Sequence, residues 1–132
     1  QHLELPSSVE ALLTSRIDRL PASQQLWLKI SSVLGSSFTS QALCEVSRGV
    51  PHFLAAHRAT LRRALAGLVE AGMLQLTSAT KFGEMRLRYS HLLIQDAAYS
   101  LLPLELKQEL HGAAARFYEQ GYEQWQRQVL VE

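Results

Sequence analysis

The residues that could do chemistry are few and are scattered along the chain. The five histidines, the single cysteine and the carboxylates form no cluster with the spacing of metal ligands or of a general acid and base. Cys44 stands next to Leu43 on an amphipathic segment, which is typical of a small core residue rather than of a nucleophile. The sequence has no glycine-rich loop that ends in Lys-Ser or Lys-Thr. It therefore predicts neither an enzyme nor a metal or cofactor site in this chain alone.

Two histidines and one tyrosine are candidates for binding. His91 follows Ser90 where a strand is expected to pass into a helix that Ser90 could cap. The start of a helix presents free N–H groups and the positive end of the helix dipole, which suit a phosphate. From the residues alone, a buried structural histidine is the simpler interpretation of His91. Tyr99 is expected in the core with its hydroxyl satisfied, and His111 is expected at the surface or at an interface.

Five arginines are the candidates for contacts with a nucleic acid, namely Arg58, Arg62, Arg63, Arg86 and Arg88. In a helical projection Arg58 and Arg62 lie beside the apolar stripe of their helix, where buried aliphatic stems or ion pairs would explain them. The opposite face holds Ala59, Arg63, Ala66 and Glu70. That face offers little to base edges or phosphates. Alternation along a strand explains Arg86 and Arg88 as a solvated face. DNA binding is therefore the alternative hypothesis rather than the first.

The size and charge of the chain fit one ordinary domain. It has 132 residues, a mass of 14.8 kDa and 47% hydrophobic residues, enough to form a core. Its 13 Lys and Arg against 12 Asp and Glu leave a net charge of +1, which argues against a strongly electrostatic nucleic-acid binder. One cysteine excludes an intrachain disulfide, and the absence of a signal-peptide pattern favours a cytoplasmic protein. Because the sequence starts without Met, we expect it to be a piece of a longer protein.

The apolar periodicity predicts a mainly α-helical fold with one β-hairpin. Helices are expected at 7–20, 21–34, 40–47, 53–71, 91–102 and from 104 onward, and strands at 73–77 and 85–89. A polar turn is expected at 36–39 and a helix stop at Gly72. The helix at 91–102 is apolar nearly all round and should be buried. The last helix should pack through Leu106, Leu110, Ala114, Phe117 and Trp125. This order is that of a winged helix-turn-helix, with three helices plus a two-stranded β-hairpin, one preceding helix and two following helices.

Three motifs in this order resemble those of STAND-type signalling ATPases. The stretch 5–21 begins LPS and ends LLTSRIDRLP, and it is similar to the end of their lid domain. The stretch 88–102, RYSHLLIQDAAYSLL, is similar to their winged-helix signature. The stretch 110–115, LHGAAA, is similar to the start of the helical repeats that commonly follow. The same patterns resemble soluble (class III) adenylate cyclases and large LuxR-type regulators.

The resemblance implies three units, which are the end of an ATPase lid helix at 1–20, a winged-helix domain at 21–103 and the first helix of a helical-repeat region at 104–132. In such proteins a P-loop domain binds ATP or ADP, and the winged helix packs on that domain. A winged-helix histidine then contacts the phosphates of bound ADP, and by motif position that histidine is His91 here. Arg16, Asp18, Tyr99 and His111 become candidates for the interfaces between domains.

The function that the resemblance implies is regulatory rather than catalytic. The chain would be the winged-helix module of a multidomain ATP-binding signalling protein, most readily one linked to an adenylate cyclase. It would dock on the nucleotide domain and transmit the nucleotide state to the output domain. Its partners would be the P-loop domain and the helical repeats of the same chain, with ATP or ADP held by the parent protein. A DNA-binding winged helix and a purely structural connector are the alternatives.

Overall fold

The fold is mainly helical, with a small antiparallel sheet. The computed structural model describes residues 4–53 and 58–131. Within these ranges the helices are α1 (Glu4–Asp18), α2 (Ala22–Ser31), α3 (Ser40–Arg48), α4 (Leu61–Glu70), α5 (Leu92–Ser100) and α6 (Leu104–Val131). The strands are β1 (Ser37–Thr39), β2 (Leu74–Ala79) and β3 (Met85–Tyr89), and 3₁₀ turns lie at Pro51–Phe53 and Arg58–Thr60. None of the described helices is both long enough and apolar enough to cross a membrane.

The sheet has the order β1-β3-β2, so β3 is its central strand. Along β3, Leu87 and Tyr89 are buried whereas Arg86 and Arg88 are exposed, which confirms the predicted alternation. The prediction of only two strands is wrong, because the expected polar turn at 36–39 contains β1. Phe38 is buried opposite Leu87 in this pairing. A strand of three residues with one apolar side chain is too short to produce a periodic signal.

The core lies between the inner side of the sheet and the helices around it. Its largest fully buried side chains come from α1 to α4, the sheet and α6, and include Ile17, Trp27, Leu43, Leu68, Leu87 and Leu110. Tyr89 also points inward, where its hydroxyl donates to the carbonyl of Leu28 (3.0 Å) and lies 2.5 Å from Ser31 Oγ. Burial raises the pKa of the Tyr89 hydroxyl well above its usual value. The central strand is therefore fixed to α2 by polar as well as apolar contacts.

Several helix ends differ from the prediction. Helix α1 spans 4–18 rather than 7–20, and α2 ends at Ser31 rather than at 34. Helix α4 begins at Leu61 rather than at 53, and the predicted apolar position Leu54 lies outside the described residues. The predicted stop at Gly72 is confirmed by its φ of 81°. The N–H of Gly72 bonds Val69 O at 3.0 Å, and the next N–H, that of Met73, bonds Leu68 O at 2.9 Å.

Helix α5 is not buried all round, as its apolar sequence predicted. Ile94 and Ala98 face the core, but Leu92 is 63% exposed and Leu93 is 44% exposed. The helix therefore covers the domain with one face only, despite its hydrophobic composition. The exposed leucines lie in its first turn, next to the end of β3.

Helix α6 packs through its first half only. Leu110 and Ala114 are buried as predicted, and this half of the helix contacts α3. Trp125, which was expected on the same buried stripe, is 57% exposed. The helix runs on through Gly121 without interruption, to a length of about 42 Å at 1.5 Å per residue. Its second half therefore presents aromatic side chains to solvent.

Candidate functional site

His91 lies between the end of β3 and the start of α5, at the surface of the domain. Its backbone is extended, with φ −152° and ψ 140°, and it is the N-cap of α5. The ring Nδ1 accepts a hydrogen bond from the N–H of Leu93 at 3.1 Å. The expectation of a buried histidine in the first turn is therefore wrong, because the ring caps the helix from outside. Ser90, the predicted cap, instead donates its N–H to the carbonyl of Met73 at 3.0 Å.

The cap determines the tautomer of His91. Since Nδ1 accepts the hydrogen bond from Leu93, it carries no proton in the neutral ring. The proton of neutral His91 is then on Nε2, which makes that nitrogen a hydrogen-bond donor. An exposed Nε2–H group can donate to an anion without breaking the cap. The structural role and a binding role of His91 are therefore compatible, and each uses a different ring nitrogen.

The backbone at the start of α5 offers fewer free donors than the sequence predicted. The N–H of Leu93 is bound by the His91 ring, and the N–H of Ile94 donates to the carbonyl of His91 at 3.0 Å. These are two of the N–H groups that an uncapped helix would present to a phosphate. An anion at this position would therefore depend on side-chain donors more than on the backbone.

An open cleft of about 780 Å³ lies beside His91. It is lined by Ser36, Ser37, Gln75, Thr77, Arg88, Tyr89, Ser90, His91 and Leu92. The cleft brings together two of the residues singled out from the sequence, His91 and Arg88, although they were assigned to different functions. Its lining includes hydroxyl, amide, guanidinium and imidazole groups but no carboxylate. Such a lining is suited to an anion rather than to a cation.

Arg88 is held in place by a neighbouring strand. Its Nε donates to Oε1 of Gln75 at 2.8 Å, across the β2–β3 pair. Gln75 was missed in the sequence because nothing in a single amide indicates a partner 13 residues away. Only the strand register, with Gln75 opposite Arg88, reveals the pair. Arg86 lies on the same exposed face, opposite Thr39 on one side and Ser78 on the other.

The arginines of α4 are not part of this cleft. Nη1 of Arg62 donates to the carbonyl of Gly83 in the β2–β3 hairpin at 3.0 Å, a contact that the sequence did not predict. Gly83 has a φ of 89°, and a Cβ added there would lie 2.6 Å from Arg62 Nη1. Arg63 is exposed on the outward face together with Ala66 and Glu70, as predicted. The side chain of Arg58 lies outside the described residues.

Tyr99 and His111 form a second cluster, where α5 meets α6. The Tyr99 hydroxyl lies 2.9 Å from Nε2 of His111, and their rings meet edge to face. The ammonium of Lys107 lies 4.5 Å from the centre of the Tyr99 ring. Tyr99 is half-buried with its hydroxyl satisfied, and His111 is exposed. Together these side-chain contacts link α5 to the first half of α6.

The remaining candidates are separate from both clusters. Arg16 and Asp18 are exposed near the end of α1, where the Asp18 carbonyl accepts from the Gln25 amide at 3.0 Å. Burial is the largest cause of a raised pKa of the Cys44 thiol, and Glu45 raises it further. A raised pKa keeps the thiol protonated and unreactive.

In ranges 4–53 and 58–131 no group of His, Cys, Asp or Glu could hold a metal ion; His2 and His57 lie outside those ranges.

Comparison with known proteins finds no matching family model, no matching curated protein and no matching solved structure.

Proposed function

We propose that this chain is a non-catalytic regulatory module with a winged-helix fold, part of a cytoplasmic, multidomain, ATP-binding signalling protein of the STAND type. The order α2, β1, α3, α4 and the β2–β3 hairpin supports the winged-helix part of this proposal. The parent protein would carry a P-loop domain and an output domain, for which an adenylate cyclase is the first choice. The module would dock on the nucleotide domain and transmit its nucleotide state.

The observation that carries the proposal is the position of His91. This histidine has an available Nε2–H donor, and it lines an open cleft that also contains Arg88. In the docked state the Nε2–H of His91 would donate to the phosphates of ADP held by the neighbouring P-loop domain. A bound nucleotide shifts the equilibrium toward docking only as far as it binds the docked state more tightly than the released state. His91 would supply part of that difference.

Although the first half of α6 packs on α3 in the core, the exposed second half of the same helix supports the proposal that helical repeats follow this chain. Its large exposed side chains are Tyr118, Tyr122, Trp125 and Val129, spaced by four, three and four residues. This spacing forms one stripe on a helix, of the kind that packs against another helix. In the proposed parent protein the first helical repeat would cover it. Arg16 and Asp18, exposed near the end of α1, would belong to the lid helix and contact a neighbouring domain of the parent protein.

The outward face of α4 argues against the alternative of a DNA-reading helix. Arg63 is the one long cation on that face, beside Ala66 and Glu70, and Arg62 is already bound to the hairpin. A helix in the major groove needs several side chains that reach base edges and phosphates. A gel shift with this chain at low salt tests the alternative, and we expect no shifted band.

The test of the proposed function uses two substitutions of His91 in the parent protein. His91→Ala removes both the cap and the Nε2–H donor. His91→Asn keeps a good N-cap, because the amide oxygen can accept from the Leu93 N–H, but it removes the imidazole. We expect both variants to release ADP about tenfold faster and to raise basal output, since one hydrogen bond to a charged group contributes about 1.5 kcal/mol or more.

The free energy of unfolding distinguishes the helix-capping role of His91 from its proposed nucleotide-binding role. His91→Ala should lose about 1 kcal/mol of unfolding free energy in urea, whereas His91→Asn should stay within about 0.5 kcal/mol of the unsubstituted protein. If His91→Asn retains ADP like the unsubstituted protein, His91 is a helix cap only and has no place in the nucleotide switch. His52→Asn is a matched control, because this exposed histidine lies in the 3₁₀ turn at Pro51–Phe53 and outside the cleft lining.

A further inference from the structure

On the solvent face of the sheet, two arginines are paired across the described strands with uncharged residues. Arg86 and Arg88 project from the central strand, and the residues opposite them on β1 and β2 are neutral. They are Thr39 and Ser78 beside Arg86, and Ser37 and Gln75 beside Arg88. Opposite charges are the usual stabilising partners of an arginine on a sheet surface. Here hydroxyl and amide groups stand in those places.

Neither arginine is neutralised elsewhere in the described chain. The only ion pair recorded among residues 4–53 and 58–131 joins Glu45 to Arg48 on α3. The cleft next to Arg88 contains no carboxylate, and the positive end of the α5 dipole points toward the same region from His91. Arg88 belongs both to the sheet face and to the lining of the cleft, so this part of the surface carries two arginines with uncharged paired neighbours, although the net charge of the chain is only +1.

The geometry of the two arginines limits what can bind to them. They are two residues apart on one strand, so their Cα atoms are about 7 Å apart. Gln75 holds Nε of Arg88 and leaves the two Nη groups for a partner. A guanidinium presented in this way matches the two oxygens of a carboxylate. Two carboxylates with the same spacing occur at positions i and i+2 of an extended peptide.

We propose that the sheet face docks an acidic protein segment, which presents carboxylates at alternate positions of an extended strand to Arg86 and Arg88. The inference names the surface chemistry on which the module docks and so rests on the proposed docking function. A protein partner is favoured over a nucleic acid because the outward face of α4 adds only one cation, Arg63, beside Ala66 and Glu70. Two cations release too few counterions to hold a duplex at physiological salt.

The test uses this 132-residue chain alone, without nucleotide, so that its failure is distinct from a failure of the His91 experiment. The probe is an octapeptide that alternates threonine and glutamate, and its control alternates threonine and glutamine. Backbone amide chemical shifts are followed by NMR during titration at low salt. We expect the glutamate peptide to shift amides of β1, β3 and the start of α5, with millimolar affinity that weakens as salt is added.

Two matched substitutions locate the binding. Arg88→Gln and Arg63→Gln each remove one exposed positive charge, one from the sheet face and one from α4. We expect Arg88→Gln to weaken binding of the peptide about tenfold and Arg63→Gln to weaken it less than twofold. Equal effects of the two substitutions, equal shifts with the glutamine peptide, or no shifts at millimolar peptide would each overturn the proposal. Tighter binding of a short DNA duplex to the same amides would replace the acidic protein segment with a nucleic acid.

Discussion

The two faces of β3, a strand of five residues, differ in their surroundings: one is buried in the core and the other is exposed to solvent. The inner face places Leu87 and Tyr89 in the core, where they are at most 5% exposed. The outer face places Arg86 and Arg88 in solvent, against neutral neighbours. Both inner side chains pack within the domain, and the Tyr89 hydroxyl is hydrogen-bonded to the Leu28 carbonyl. Within residues 4–53 and 58–131, the outer guanidiniums have one hydrogen-bond partner, Gln75.

The difference between these faces separates stability from recognition. A side chain whose contacts are all internal contributes to the free energy of unfolding, and its loss leaves a cavity or an unpaired group. A side chain with few internal contacts contributes little to that free energy and is free to bind a partner. Substitutions on the inner face should therefore lower the free energy of unfolding more than substitutions on the outer face, and three expected effects can be ranked by size.

The largest effect is expected at the centre of the inner face. Leu87→Ala should lower the free energy of unfolding by about 2–5 kcal/mol, because Leu87 is fully buried and the cavity would collapse only in part. Arg86→Ala, at the adjacent position of the same strand, should change it by less than about 0.5 kcal/mol. Urea denaturation followed by circular dichroism measures both. Comparable losses in the two variants would contradict the division of the strand into two faces.

The second effect is a pH dependence that comes from Tyr89. Burial raises the pKa of this hydroxyl, so the folded state holds the proton more tightly than the unfolded state, whose pKa is about 10. The resulting stability is fully present below pH 10 and is lost as the pH rises above it, by up to about 1.4 kcal/mol per pH unit.

Tyr89→Phe should remove this dependence and cost about 1 kcal/mol at neutral pH. The cost is modest because Ser31 Oγ still donates to the carbonyl of Leu28 at 2.7 Å after the hydroxyl is gone. The measurement is the difference in unfolding free energy between the unsubstituted protein and Tyr89→Phe from pH 8 to pH 11. The other titrating groups are the same in both proteins, so their contributions cancel in this difference. A difference that stays constant across this range would show that Tyr89 is not the titrating group.

The inner face could be predicted from the sequence, and most of the outer face could not. Alternation of Met85, Leu87 and Tyr89 with arginines indicates a strand and its two sides directly, because side chains along a strand alternate. The pairing of that strand with β1 was missed, since β1 contributes only Phe38 to the apolar pattern. The apolar pattern of α5 overstated its burial, because composition does not tell how many sides of a helix are covered.

The sequence predicted the location of the candidate site but not its side-chain contacts. The position of His91 at the junction of a strand and a helix follows from local patterns, but its role as a cap does not, because histidine is not a preferred N-cap residue. The contacts of Arg62 with Gly83 and of Arg88 with Gln75 join residues 21 and 13 positions apart. Such pairs are set by strand register and hairpin geometry, which charge patterns in one dimension do not contain.

The smallest effect is expected within the outer face itself, between Arg88 and Gln75. A double-mutant cycle with Arg88→Ala and Gln75→Ala should give a coupling of about 0.2–1 kcal/mol, the usual range for a cross-strand pair. The matched cycle with Arg86→Ala and Ser78→Ala should give a coupling close to zero, because the two side chains form no hydrogen bond in the structure.

The peptide titration tests whether the same contact between Gln75 and Arg88 matters for binding. If Gln75 orients the guanidinium for a carboxylate, then Gln75→Ala should weaken the glutamate peptide severalfold although Gln75 carries no charge. A Gln75→Ala variant that binds the peptide unchanged would mean that charge alone, and not the held geometry of Arg88, makes the outer face a docking surface.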